Sequence, residues 1–220
     1  GILMKNIAKY IDYTLLKPTA QQADIQRMCG EAKEYDFATI CVQPVFVKLC
    51  AKLLQGSRVG VTTVIGFPLG ANKTEVKGFE AAQAVADGAT EVDMVMNIGE
   101  MLAGNYDAVK KDIQGVVQAV EGKAVVKVII ETAYLDQEQI AAASKLVKEA
   151  GADFVKTSTG FGPGGARVED IRIMREAVGP DFGIKAAGGI SSYEVAKEML
   201  EAGATRFGAS AALAIVAGEK

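Results

Sequence analysis

The chain reads Glu149-Ala-Gly-Ala-Asp-Phe-Val-Lys-Thr-Ser-Thr-Gly160 where an amphipathic helical stretch gives way to a short apolar run. The first five residues of this stretch recur in similar form as Ala86-Asp-Gly-Ala-Thr90 and as Glu201-Ala-Gly-Ala-Thr205. Glycine just beyond a helix is the residue expected at a left-handed C-cap, so each copy marks a helix that ends and a strand that begins. Helices that alternate with strands in this way predict a parallel sheet.

Reading outward from these three points gives eight strand candidates. They are residues 10–14, 37–42, 59–65, 91–96, 125–131, 153–158, 183–187 and 205–208. Helices are predicted between them at residues 19–34, 73–87, 105–121, 136–150, 168–178 and 192–202. Eight strand–helix units in 220 residues predict an α/β protein with a (β/α)8 TIM barrel fold, and a doubly wound open sheet is the alternative.

Composition excludes several functional classes. Half of the residues are hydrophobic and the net charge is −3, so the chain lacks the basic surface that nucleic-acid binding requires. No apolar run is long enough to span a membrane, and no linker divides residues 1–220, which are predicted to form one domain. The absence of histidine removes Ser-His and Cys-His nucleophile pairs and argues against a catalytic zinc site.

The sequence also predicts a cytoplasmic location. The stretch Gly1-Ile-Leu-Met-Lys-Asn6 lacks the apolar region and the cleavage site of a signal peptide. The chain has three cysteines, an odd number without Cys-x-x-Cys spacing, and this pattern is typical of reduced thiols.

Two lysines, Lys156 and Lys185, lie in apolar runs that end in glycine. A lysine is rarely buried unless it is paired or reactive, and both burial and a like-charged neighbour favour the neutral, nucleophilic amine. Consecutive strands would place the two ammonium groups about 5 Å apart, where they repel by about 3 kcal/mol. With Asp93 on strand 91–96 as an acid/base acting through a water, the pair predicts Schiff-base chemistry. The alternative is that Lys156 and Lys185 are strand-end side chains that extend to solvent, with Asp93 as a salt-bridge partner.

Four further residues complete the candidate set. Lys127 and Glu131 share one side of strand 125–131, and Lys127 is expected to pair with Asp93 as a scaffold. Cys41 has no histidine base and is expected to be a packing residue. Asp12 on the first strand either caps the structure or binds a substrate hydroxyl.

Glycines cluster after the last three predicted strands. Backbone amides freed by glycine, next to a helix N-terminus, form an anion site, and barrels often bind phosphate after strands seven and eight. The cluster therefore predicts a phosphorylated substrate, and the alternative is that these glycines only form tight turns. Its members are Gly160, Gly162, Gly164, Gly165, Gly188, Gly189 and Gly208, with Ser210 following.

Seven motifs, in order along essentially the whole chain, together resemble the deoxyribose-phosphate aldolases. They are Asp12-Tyr-Thr-Leu-Leu-Lys-Pro18, Ile65-Gly-Phe-Pro-Leu-Gly70, Glu91-Val-Asp-Met-Val95, Lys127-Val-Ile-Ile-Glu-Thr132, Phe154-Val-Lys-Thr-Ser-Thr-Gly160, Lys185-Ala-Ala-Gly-Gly189 and Arg206-Phe-Gly-Ala-Ser210. The resemblance implies a class I aldolase, an aldehyde-lyase that reversibly cleaves 2-deoxy-D-ribose 5-phosphate to D-glyceraldehyde 3-phosphate and acetaldehyde. It implies no metal and no other cofactor, and a homodimer or homotetramer.

The resemblance also assigns roles that the residues alone leave open. It implies that Lys156 forms the Schiff base, that Lys185 lowers the pKa of Lys156, and that Asp93 moves protons with a water. It places Asp12, Thr14, Cys41 and Thr157 in the substrate site, and Gly160, Gly188, Gly189, Gly208 and Ser210 in the phosphate site. The alternatives are another Schiff-base barrel aldolase or transaldolase, and a catalytically silent barrel that binds phosphosugars.

Three features depart from the pattern of that family. Tyr13 stands where the family motif usually has histidine, so a role for this side chain is in doubt. Phe161 stands where some members have a lysine, which removes one countercharge for phosphate. The sequence ends at Lys220 without the tyrosine-bearing tail of some members, and we expect modest turnover as a result.

Overall fold

A computed structural model gives the fold and describes residues 6–219. The expectations about a signal peptide and about a C-terminal tail fall on residues 1–5 and on Lys220, which lie outside the described residues.

Eight parallel strands form a closed barrel in which each strand pairs with the next and the last returns to the first. The strands are β1 Ile11–Leu15, β2 Thr39–Val42, β3 Gly60–Ile65, β4 Glu91–Val95, β5 Val125–Ile129, β6 Phe154–Lys156, β7 Gly183–Ala187 and β8 Arg206–Ala209. Each of them overlaps one predicted strand. The closed ring confirms the (β/α)8 TIM barrel and excludes the open sheet.

Helices surround the barrel. They are α1 Gln22–Tyr35, α2 Val47–Leu53, α3 Thr74–Ala86, α4 Ile98–Leu102, α5 Tyr106–Ala119, α6 Gln137–Glu149, α7 Val168–Val178, α8 Tyr193–Ala202 and α9 Ala212–Ala217, with short 3-10 turns at Ile7–Tyr10, Pro44–Phe46 and Thr132–Tyr134. The six longest match the predicted helices, whereas α2, α4 and α9 are too short to show a helical period. Within residues 6–219, no helix is both long enough and apolar enough to cross a membrane.

The repeated glycines end helices as predicted. Gly88, Gly151 and Gly203 follow α3, α6 and α8, and their φ angles are 110°, 93° and 128°. A side chain at such a φ is strained, which explains why glycine recurs at these three points.

The strands divide the molecule into an apolar outer layer and a charged interior. Along β4, Val92 and Met94 are fully buried in the apolar core, while Glu91 and Asp93 point to the other face under the two-residue period. Register pairs Asp93 with Lys127 across β4 and β5. The barrel interior is therefore built around ion pairs and not around the branched apolar layers typical of this fold.

Phe154 lies lower in this interior, near the amino-terminal end of the barrel. Its ring centre is 5.2 Å from the guanidinium carbon of Arg206 and 5.8 Å from Nζ of Lys127. Glycine at position 183 makes room for the ring, because a Cβ atom there would lie 2.5 Å from it. The aromatic face thus stabilises two cations that are shielded from solvent.

The predicted strands 125–131 and 153–158 extend past the observed carboxyl ends of β5 and β6 by two residues each. Strand β5 ends at Ile129, and Glu131 adopts a left-handed backbone with φ 49° before the turn at Thr132–Tyr134. The prediction that Glu131 shares a strand face with Lys127 is therefore wrong. Strand β6 likewise ends at Lys156. The residues that follow both strands are still buried, so the ends of the strands do not coincide with a change from buried to exposed residues.

Candidate active site

Lys156 and Lys185 meet at the carboxyl end of the barrel. They are register partners on β6 and β7, as the sequence predicts, and their side chains are 4% and 0% exposed. Neither can therefore be a strand-end side chain that extends to solvent.

Asp93 joins the two lysines. Its Oδ2 accepts hydrogen bonds from Lys156 Nζ at 2.9 Å and from Lys185 Nζ at 2.8 Å. Its Oδ1 lies 3.3 Å from Lys127 Nζ, yet this buried oxygen has no hydrogen-bond donor within the described part of the chain. A buried acceptor of this kind can serve a water or a substrate hydroxyl.

A second layer of ion pairs lies below. Lys127 contacts Asp93 as predicted, but its shorter contacts are to Asp12 at 2.6 Å and to Glu91 at 2.7 Å. Arg206 bridges the same two carboxylates at 2.8 and 2.7 Å. Asp12 also contacts Lys185 at 2.6 Å, so the two layers form one continuous network.

The network carries one positive charge in excess when every member is ionised. It holds three carboxylates and four cations: Asp12, Glu91, Asp93, Lys127, Lys156, Lys185 and Arg206. Loss of the proton of one lysine would balance it at three against three.

Lys156 is the lysine whose environment favours that loss. Burial lowers the pKa of Lys156, and repulsion by Lys185 lowers it further, against the opposing attraction of Asp93. The sequence analysis named burial and a like-charged neighbour together, and of these two causes burial is the larger. Burial also disfavours the charge on Lys185, but Asp12 and Asp93 overcome it and raise the pKa of Lys185 well above its ordinary value.

Two carboxylates of the network, Asp93 and Asp12, remain ionised. Burial acts to raise the pKa of Asp93, but Lys127, Lys156 and Lys185 together hold it well below its ordinary value. Burial also acts to raise the pKa of Asp12, but the nearby cations, of which Lys127 has the largest effect, hold it well below its ordinary value. Lys185 and Asp93 thus form a fixed cation–anion pair beside an amine that gives up its proton more easily.

A cavity of about 310 Å³ opens above Lys156 between the loops that follow β1, β6, β7 and β8. Of the residues predicted for the site, those that line it are Thr14, Lys156, Gly160, Gly188, Gly189, Gly208 and Ser210. Five other candidates are fully buried and do not line it: Asp12, Cys41, Asp93, Thr157 and Lys185. Three members of the predicted glycine cluster also lie outside the cavity wall: Gly162, Gly164 and Gly165.

Three of the glycines in the wall have backbones that favour glycine. Gly160, Gly188 and Gly189 have φ angles of 85°, 86° and 81°. Gly208 leaves room for a neighbour instead, because a Cβ atom there would lie 3.1 Å from Cε of Lys185 and that side chain would have to shift. The residues Gly188 to Ser191 lead directly into α8, and Ser210 and Ala211 lead into α9. The cavity wall thus includes the loop that comes just before the N-terminus of α8, where anions commonly bind.

Two of the buried candidates have structural contacts. The Thr157 hydroxyl donates to the Ala187 carbonyl and accepts from the Ala187 amide, both at 3.1 Å, and so ties the end of β6 to β7. Cys41 packs in a small apolar cluster with Leu16 and Val64, and burial raises the pKa of its thiol.

The comparison with known proteins assigns this arrangement to a family. The model of the family described as "DeoC/LacD family aldolase" matches residues 6–218. The chain belongs to this family. It is therefore an aldolase, an aldehyde-lyase. A deoxyribose-phosphate aldolase from Thermoanaerobacter sp. (strain X514) is 60% identical over 213 residues, which cover 96% of each chain. Another from Enterococcus faecalis is 58% identical over 210 residues, again 96% of each chain.

Solved structures agree with the fold of this aldolase. The structure of a tetrameric deoxyribose phosphate aldolase from Aeropyrum pernix has a TM-score of 0.89 and 35% identity, and the match covers 96% of this chain and 89% of that one. An aldolase called QR15 gives a TM-score of 0.92 and 41% identity over 97% of this chain and 96% of that one.

Two departures from the aldolase motifs have a clear place in the structure. Tyr13 points away from the cavity, where its hydroxyl donates to Glu31 on α1 at 2.9 Å and its ring meets Phe37 edge-on. Phe161 lines the cavity and packs edge-on against Phe67, with ring centres 5.5 Å apart. Tyr13 therefore belongs to the packing between sheet and helix, while Phe161 gives the cavity an apolar wall.

Sequence reasoning missed several members of the aldolase site. Glu91 and Arg206 belong to the lower layer of the network. The two-residue period of a strand places Glu91 on the same face as Asp93, and this signal could have identified Glu91. Lys17 lines the cavity on the β1 side. Glu131 was a candidate, but its contact was not predicted. Its carboxylate accepts hydrogen bonds from the Thr159 amide at 3.0 Å and the Thr159 hydroxyl at 2.6 Å, which fixes the loop after β6.

Proposed function

We propose that this aldolase reversibly cleaves 2-deoxy-D-ribose 5-phosphate to D-glyceraldehyde 3-phosphate and acetaldehyde through a Schiff base on Lys156. One observation carries the proposal. Of the seven charged side chains in the network, all within residues 6–219, Lys156 is the one that lines the cavity, and its environment favours the neutral amine. The relatives named deoxyribose-phosphate aldolases support the choice of substrate.

In the cleavage direction, the neutral Nζ of Lys156 attacks the aldehyde carbon of the open-chain sugar, and loss of water gives an iminium ion. Removal of the proton from the C3 hydroxyl lets the C2–C3 bond break, and its electron pair moves into the iminium to form an enamine. Glyceraldehyde 3-phosphate leaves at this step. Protonation of the enamine carbon followed by hydrolysis releases acetaldehyde and restores the amine.

Asp93 and Lys185 assist this sequence from below the cavity. Asp93 contacts both amines through Oδ2, so it can briefly accept the proton that Lys156 releases and pass it on with the help of a water. Lys185 stays protonated and opposes any return of the proton to Lys156. The fixed cation therefore favours the neutral amine of Lys156 at the start of each turnover.

The phosphate of the substrate is proposed to bind among the glycine loops at the opposite end of the cavity. The amides of Gly160 and Gly188 to Ser191, together with the Ser210 hydroxyl, supply donors. Lys17, which lines the same cavity, supplies a countercharge in a position different from the lysine that Phe161 replaces.

Replacing Lys17 by glutamine tests this phosphate site. We expect the KM for 2-deoxyribose 5-phosphate to rise about fivefold, since one exposed charge contact is worth roughly 1 kcal/mol. The kcat/KM for unphosphorylated 2-deoxyribose should stay within about twofold, because no phosphate is present to lose the contact. Steady-state kinetics on both sugars measure the difference, with Lys9→Gln, an exposed lysine before β1, as the control. Equal losses on both sugars would contradict the assignment.

Reductive trapping tests the Schiff base itself. Acetaldehyde with cyanoborohydride is expected to leave one ethyl group on Lys156, identified by mass spectrometry of the digested protein. The Lys156→Met variant should carry no such modification at this site. An adduct on Lys185, or efficient trapping of ketone donors without acetaldehyde, would contradict the proposed donor and nucleophile.

The assembly and location of the enzyme are proposals of the same kind. We propose one catalytic domain over residues 1–220, a homodimer or homotetramer, and a cytoplasmic location. The tetrameric relative from Aeropyrum pernix supports self-association. Light scattering on the purified protein would identify the oligomer.

A further inference from the structure

The lower layer of the ion network takes no part in the chemistry proposed above. Glu91 and Lys127 do not line the cavity, and the Lys127 side chain is fully buried while that of Glu91 is 13% exposed. Their charges are separated from the reacting amine by Asp93 alone, because Lys127 lies at Oδ1 and Lys156 at Oδ2 of that carboxylate.

We propose that Glu91 and Lys127 are positioning residues that act on the protonation of Lys156 from beneath the site in opposite directions, each through the one unit of charge that it contributes to the buried network. This inference rests on the proposed function, in which the neutral amine of Lys156 is the nucleophile. Neither residue touches the substrate, and both act through Asp93.

The contacts make the charge excess a property of the whole cluster. Lys127 is held by Asp12 and Glu91, and Glu91 is held in turn by Arg206. No member can swing out to solvent without breaking short contacts, so each substitution changes the buried charge by one unit. Coulomb energy falls off slowly in such an environment, and even a charge that makes no direct contact with Lys156 influences its proton.

The other charged and titratable groups around Lys156 do not offset this effect. These groups lie on six strands of the barrel: Asp12 on β1, Cys41 on β2, Glu91 and Asp93 on β4, Lys127 on β5, Lys185 on β7 and Arg206 on β8. Lys17 lines the cavity above and is exposed, so solvent screens its charge. Cys41 is neutral because burial raises the pKa of its thiol.

The test measures the rate of cyanoborohydride trapping of acetaldehyde as a function of pH, and takes the midpoint of its acid limb. Lys127→Met removes a cation and is expected to move this midpoint upward. Glu91→Gln removes an anion and is expected to move it downward. A unit charge about 6 to 11 Å away at an effective dielectric constant near 20 shifts a midpoint by roughly 1 to 2 pH units. The double variant should return close to the unsubstituted protein.

A matched control is available in the second buried lysine–carboxylate pair. Lys77 on α3 donates to Asp112 on α5 at 2.7 Å, outside the barrel interior. The double variant Lys77→Met with Asp112→Asn removes that pair and keeps its net charge. It is expected to change thermal stability without moving the midpoint.

Opposite shifts of the midpoint in the two single variants support the inference. A merely structural role would not make the direction of the shift depend on the charge that was removed. Midpoints that stay within about 0.3 pH units, or that move in the same direction, overturn it. If Lys127→Met does not fold, the downward shift of the nearly isosteric Glu91→Gln decides the question alone. Absence of any adduct at Lys156 in the unsubstituted protein would refute the proposed function instead, so the two failures are distinguishable.

Discussion

Methionine in place of Lys156 is expected to lower kcat/KM for 2-deoxyribose 5-phosphate by about 10⁴-fold or more at every pH, because no amine remains to form the covalent intermediate. The fold should survive this change. Three carboxylates and three cations remain in the network, and Asp93 keeps its contacts with Lys185 and Lys127. Steady-state kinetics and circular dichroism provide the two measurements.

The same variant is expected to gain thermal stability near neutral pH. Burial lowers the pKa of Lys156 in the folded protein, so the folded state binds its proton less tightly than the unfolded state. This cost is present in full below the folded pKa and disappears as the pH rises toward the ordinary lysine value of about 10.4. The variant should therefore have the higher Tm at pH 7 and lose that advantage toward pH 10.

Lys77→Met provides the contrast for this stability prediction. It removes a buried lysine that the catalytic proposal does not use and leaves Asp112 without its cation. Breaking such a buried pair typically costs about 3 to 5 kcal/mol, so this variant should lose stability while the acetaldehyde adduct still forms on Lys156. A Lys156→Met variant that is as unstable as Lys77→Met would mean that Lys156 stabilises the fold.

Methionine in place of Lys185 is expected to lower kcat/KM about 10²-fold near pH 7, with partial recovery toward pH 9. Without this cation the network is balanced while Lys156 keeps its proton, so the pKa of Lys156 rises. Alkaline conditions then restore the neutral amine. A pH–rate profile measures the effect.

Recovery distinguishes Lys185 from Lys156, whose removal no pH can rescue. The Lys185→Met variant should also retain the acetaldehyde adduct on Lys156. Activity that is lost equally at all pH values would instead give Lys185 a direct role in the reaction.

The sequence predicted the barrel and the lysine pair because local signals specify both. Glycines after three helices mark where strands begin, and consecutive strands in a parallel barrel are neighbours. Lys156 and Lys185 each lie on such a strand, so their register pairing followed from chain order. The cluster of glycines after β6, β7 and β8 likewise indicated a cavity wall, and several of its members line the cavity.

The electrostatics of the site were less accessible from sequence. Asp93 on β4 contacts lysines on three other strands, and such contacts across a barrel depend on side-chain reach and not on sequence spacing. Burial is the leading cause of the lowered pKa of Lys156. The size of this effect depends on how deeply the side chain is buried, and an apolar run in the sequence does not give that depth. The prediction that Glu131 lies on a strand was wrong for a related reason. The chain stays buried beyond Ile129, so burial does not mark where β5 ends.

The protonation of Lys156 is the quantity on which all of these expectations depend. Carbon-13 NMR of protein labelled at lysine Cε can follow it directly, with the Lys156 resonance assigned by its loss in Lys156→Met. We predict that this resonance titrates at a pH clearly below the ordinary lysine value of about 10.4, while that of Lys185 does not titrate below it. A Lys156 resonance that titrates at or above that value would contradict the account.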